Sequence, residues 1–67
     1  MVTITVNGER REFEAALPLT QLIERLGLTG KRIAIERNGE IVPRSEFSAK
    51  SIADGDKLEI VVAVGGG

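Results

Sequence analysis

Apolar and polar residues alternate from the start of the chain: Val2, Ile4 and Val6 are separated by Thr3 and Thr5. A period of two built on β-branched residues predicts a strand. Asn7-Gly8 follows, the pair best suited to a two-residue hairpin turn whose central positions both need φ > 0. Glu9 to Glu14 then reads as the return strand, with Phe13 as its core contact and charged outer positions that suit a sheet edge. The period then changes. Leu19, Leu22, Ile23 and Leu26 fall at i, i+3, i+4 and i+7, which predicts a short helix with one apolar face. Pro18 suits its first position, where a missing N–H is harmless. Gly27 suits the residue just past its end, where a left-handed backbone is common, and Leu28 is a trailing apolar anchor.

Alternation resumes over Arg32 to Arg37, with Ile33 and Ile35 on one face, and Asn38-Gly39 turns the chain into a short strand, Glu40 to Val42, that Pro43 ends. Pro43 to Ser48 reads as one helical or 3₁₀ turn that tucks Phe47 inward. Ile52 is the next anchor, and Asp54-Gly55-Asp56 is a turn. Leu58, Ile60, Val62 and Val64 then alternate with Glu59, Val61 and Ala63, and from Ile60 onward both faces are apolar. Such a strand is expected in the middle of a sheet, covered at least partly on both sides. Placed beside the first strand and parallel to it, with the helix on one face, it gives an α+β fold of the β-grasp, ubiquitin-like kind. The expectation is a mixed sheet of four to five strands on one helix, a single domain over residues 1–64, and a flexible glycine tail over residues 65–67.

Composition narrows the possible functions. At 67 residues the chain has a thin core, and without cysteine it has no disulfide to brace it. Histidine is absent as well, which removes the usual zinc site. Nine basic and ten acidic residues leave a formal charge of −1, against the basic excess of a nucleic-acid binder. There is no Trp or Tyr to stack on bases, only Phe13 and Phe47. No apolar run approaches a membrane span, and MVTITVNG is not a secretory leader, so the expected location is cytoplasmic.

Catalytic motifs are weak. Gly27-Leu28-Thr29-Gly30-Lys31 resembles the end of a phosphate loop, but Arg25 and Arg32 stand where that loop needs Gly and Ser or Thr. Asp54-Gly55-Asp56 lacks the twelve-residue ligand spacing of a calcium loop. Ser45, Ser48 and Ser51 have no base at a recognisable spacing, and Glu36, Glu46 and Glu59 read as scattered solvated charges. The chain is therefore not expected to be an enzyme, nor to bind a cofactor or metal of its own. What remains is the end, LEIVVAVGGG. An ionised terminal carboxylate can attack the α-phosphate of ATP to give an acyl adenylate open to a sulfur nucleophile. Glycines without side chains thread a narrow channel, and three extended residues reach about 10 Å. Strand parity adds a surface: Val62 and Val64 share the parity of Leu58 and Ile60 and should face the core, while Val61 and Ala63 face the side no helix covers. An uncovered apolar patch marks a partner site.

AIERNGEIVPRSEF from Ala34 to Phe47, then Asp54-Gly55-Asp56, then an apolar strand running into terminal glycines, resembles the ThiS family of sulfur carriers in thiamin thiazole biosynthesis. The resemblance covers essentially the whole chain. It implies that Gly67 is adenylated by a ThiF-type enzyme that uses ATP and Mg²⁺, and is then converted to a thiocarboxylate by sulfur from a cysteine desulfurase relay. It implies delivery of that sulfur to the thiazole synthase ThiG. Gly65 and Gly66 are then the approach to the partner's active site, and Val61 and Ala63 its docking surface. MoaD-like carriers and tRNA-thiolation carriers share this outline. A ubiquitin-like modifier that joins Gly67 to a lysine, and a passive β-grasp binding module, are the other classes.

Overall fold

The computed structural model describes residues 1–63. Five strands and one helix follow in the expected order: β1 (Val2–Val6), β2 (Glu9–Phe13), α1 (Leu19–Arg25), β3 (Ile33–Arg37), β4 (Glu40–Val42) and β5 (Lys57–Val62), with a 3₁₀ turn at Arg44–Glu46. They form one sheet in the order β2-β1-β5-β3-β4. β1 runs parallel to β5, and the other neighbours are antiparallel. This is the β-grasp arrangement, with the last strand between the two hairpins.

Pro18 stands one position outside its expected place. It is the N-cap residue, with ψ at 155°, not the first helical one. The Leu19 amide donates to the Lys50 carbonyl and the Ile52 amide to that of Leu17. The chain entering the helix is therefore held in an extended bridge between Pro18 and Ser51, and turns helical one residue later. At the other end Gly27 has φ +74°. Its N–H donates to Glu24 O, and that of Leu28 to Ile23 O at 2.9 Å. That pair of bonds satisfies carbonyls the helix leaves open and needs a left-handed residue at Gly27. Ile23 and Leu28, five residues apart across that cap, both pack on the core.

The core lies on the helix side of the sheet. Ile4, Leu19, Leu22, Ile35, Ile52 and Leu58 are fully buried, and Phe47 joins them from the 3₁₀ turn. Phe13 packs against this cluster from the edge strand. Two expectations for the last strand need correction. β5 is central but covered on one face only: Val61 is 62% exposed, because the one helix sits over Leu58 and Ile60. Val62 has the inward parity yet is 38% exposed. β1 stops at Val6 and α1 before Leu26, so Val62 borders an open groove with Leu26 and Leu28. Val64 lies outside the described residues. Among those described, no helix is long and apolar enough to cross a membrane.

Both Asn-Gly turns do more than reverse the chain. Asn7 and Asn38 have φ of 52° and 51°, as type I′ turns demand. Each also clamps β5. Where β1 ends, the Asn7 side chain takes over as a strand partner: Oδ1 accepts from the Ile60 N–H at 2.8 Å, and Nδ2 donates to the Ile60 carbonyl at 3.0 Å. On the other side Asn38 Oδ1 accepts from the Lys57 N–H at 2.9 Å, and the Asn38 N–H donates to the Lys57 carbonyl at 2.8 Å. Asn38 Nδ2 reaches the buried Asp56 carboxylate, which also accepts from the Ala53 N–H and pairs with Arg37 at 3.2 Å. A buried charge is tolerable only with such partners.

Asn7→Gly separates the two roles of Asn7, since glycine keeps the positive φ but loses the clamp. Leaving the Ile60 amide and carbonyl without partners costs about 1–3 kcal/mol. The expected result is a melting temperature lower by roughly 4 °C or more, with faster amide exchange at Ile60. An unchanged melt would mean that only the turn matters.

Candidate functional site

Register places the residues of the helix-free sheet face. On β5 these are Lys57, Glu59 and Val61. Ala34 lies opposite Val61 and Glu36 opposite Glu59. Ile41 lies opposite Glu36 on β4. Thr3 and Thr5 continue the face on β1, and Glu12 and Arg10 close it on β2. An antiparallel pair holds directly opposed Cβ atoms about 4.5–5.5 Å apart on the same face, so these rows are real neighbours.

Val61 therefore sits where its parity places it, exposed on the open face beside Ala34. Ala63 is exposed too, one residue beyond β5, and its N–H donates to the Arg32 carbonyl at 2.8 Å. That bond ties the last described residue to the segment that enters β3. Gly65, Gly66 and Gly67, named from sequence as the approach and the reacting residue, lie outside the described residues.

Two features of this face escaped the reading of the sequence. Ile41 is 68% exposed and adds a third apolar side chain to the patch. A β-strand of three residues carries too short an alternation to show which of Glu40 and Ile41 faces outward. Glu36 and Glu59, read as scattered charges, are directly paired across the two central strands. Knowing the register between β3 and β5 is the only way to see this, and sequence periodicity does not supply register. Glu46, in contrast, stays apart from both and pairs with Lys50 at 3.7 Å.

The rest of the surface offers shallow clefts. One of about 530 Å³, lined by Arg37, Glu40, Pro43, Glu46 and Lys50 among others, lies at the β3–β4 turn. Another of about 310 Å³ lies between Val6, Leu26, Leu28, Ile60 and Val62, at the root of the C-terminal segment. Among the described residues no three His, Cys, Asp or Glu side chains gather as a metal site.

A family model described as the ThiS family matches residues 4–67, a range that takes in the open-face patch and the terminal glycines. Among curated proteins, a thiazole synthase of Paramagnetospirillum magneticum is 45% identical over 64 residues, which is 96% of this chain and 20% of that protein. The chain thus spans one fifth of the length of that relative. An uncharacterized protein, ycf40, of Porphyra purpurea is 39% identical over 98% of this chain and 93% of its own length. Among solved structures, the thiamine biosynthesis protein ThiS of Geobacter metallireducens superposes with a TM-score of 0.82 at 32% identity, over 98% of this chain and all of that one. With a shared fold and a family match running through the glycine end, the chain belongs to the ThiS family.

Proposed function

We propose that the chain is a sulfur carrier for thiazole formation in thiamin biosynthesis, and that it works as a carried substrate, not as an enzyme. The observation that supports this most is the family match reaching residue 67, together with a relative that holds a region like this chain within a protein called a thiazole synthase. Gly67 provides the chemistry. Its carboxylate oxygen attacks the α-phosphate of ATP, which a ThiF-type adenylating enzyme binds with Mg²⁺, and pyrophosphate leaves. The outer sulfur of a persulfide from a cysteine desulfurase relay then attacks the acyl carbon and displaces AMP. A thiol reductant cleaves the S–S bond of the acyl disulfide so formed, itself leaving as a disulfide with the relay's sulfur. The resulting thiocarboxylate hands its sulfur to the thiazole synthase, ThiG.

The fold suits this division of labour. Gly65 and Gly66 carry no side chains to obstruct a partner's channel. The docking surface begins at Val61 and Ala63, so the surface that is recognised and the atom that reacts lie close together in the sequence, six residues or fewer apart. The chain supplies neither nucleotide site nor metal site in this reading; both belong to the activating enzyme.

With the activating enzyme, ATP and a sulfur donor present, the protein is expected to gain the mass of one oxygen-to-sulfur exchange, mapped to Gly67. Because the chain has no cysteine, any alkylation by a thiol reagent must then fall on that thiocarboxylate. Deleting Gly66 and Gly67 should abolish the mass gain and leave the melt unchanged. Lysine-linked adducts in place of the mass gain would establish a protein modifier instead.

Val61→Asp tests the docking surface. An exposed position away from the core changes stability by no more than about 0.5 kcal/mol, so the melt should hold. Affinity for the activating enzyme or the synthase should fall by roughly tenfold or more. A large loss of stability at unchanged affinity would show that the side chain does not point to the open face.

A further inference from the structure

Glu36 and Glu59 face each other across β3 and β5, and like charges directly opposed on a sheet are destabilising. No ion pair among the described residues takes up either carboxylate. Those ion pairs join Arg10 to Glu12, Arg11 to Glu9, Arg37 to Asp56 and Lys50 to Glu46. Neither Glu36 nor Glu59 has a cation within 4 Å among the described residues. Lys57, one row along β5, forms no ion pair among them. Glu36 is also half-buried, which raises the cost of the unshared charge.

The two carboxylates stand between apolar neighbours. Val61 and Ala34 occupy the next row toward the chain end, and Ile41 flanks Glu36 on β4. An anionic pair set in an apolar collar, on the strand that leads to Gly67, is the complement of one planar cation ringed by apolar side chains. A guanidinium bridges two carboxylates well, since its donors are fixed in a fork.

Resting on the carrier reading above, we infer that Glu36 and Glu59 together form the specificity element of the docking face, and that their occupant is a basic side chain, best an arginine with apolar residues around it, on the thiazole synthase that receives the tail. The free protein holds an electrostatic conflict at this row, and the partner removes it. Docking is thereby favoured over stacking of two copies of the same face, which would bring four carboxylates together.

The test is a set of variants, Glu36→Gln, Glu59→Gln and the double change, each melted and each titrated calorimetrically into the synthase at low and high salt. Relief of the repulsion should raise the melting temperature by about 1–5 °C. Affinity should fall roughly ten- to a hundredfold in the double variant, the loss expected for a charge-assisted contact. The salt dependence of binding should shrink with it. More stable yet weaker-binding variants are the combination a purely structural role does not produce. Unchanged affinity, a lower melting temperature, or self-association with binding intact would each overturn the inference while the carrier reading stands. A wild-type chain that does not bind the synthase at all, despite gaining sulfur at Gly67, would remove the synthase reading and the inference with it.

Discussion

Everything in this fold depends on the insertion of β5 between two hairpins that are far from it in sequence. Hairpins of five-residue and three-residue strands are not stable alone in water. Direct pairing of β5 with β1 is short, Thr5 to Lys57 and Val6 to Leu58. The Asn7 amide lengthens it by gripping both backbone groups of Ile60, 53 residues away in sequence. Asn38 grips the start of the same strand from the other side. The two turns that shape the hairpins are thus the two devices that join them, and long-range closure of this kind is the slow step in small sheet proteins.

That constraint carries over to the proposed chemistry. The strand clamped from both sides is the one that precedes the proposed reacting segment, and the Ala63 amide bond to Arg32 extends that hold one residue past it. The two sheet faces divide the work. The helix-covered face supplies stability through Leu58, Ile60 and Ile35, all buried. The open face carries side chains that a stability optimum would avoid: exposed Val61 and Ile41, and two opposed carboxylates. Natural sequences keep such local costs where function needs them.

Period alone was enough to place the elements. β1, β4 and the 3₁₀ turn fall where alternation and Pro43 put them, and the strongly apolar run of β5 was enough to place it centrally and parallel to β1. The same run misled about coverage. Apolar residues on both faces suggested burial on both sides, whereas one face of Val61 meets solvent because a single helix cannot cover two sides of a sheet. Pro18 was shifted by a bridge to Ser51 that no local pattern reveals. The exposure of Val61 on the open face was legible from parity. Ile41 and the Glu36–Glu59 pair were not, since they follow from register between strands that are distant in sequence. The asparagine clamps were hidden for a different reason: turn chemistry already accounted for both residues.

In the proposed function, sulfur travels on Gly67 into the thiazole ring. The most direct measurement loads the carrier with radiosulfur as its thiocarboxylate, removes the donor, and gives the loaded protein to the thiazole synthase with its small-molecule substrates for a single turnover. The account predicts that the label leaves the protein and appears in the thiazole product in equal amount, with the carrier returned to its carboxylate. Label that stays on the protein while thiazole forms, or leaves as free sulfide with no labelled product, would contradict it.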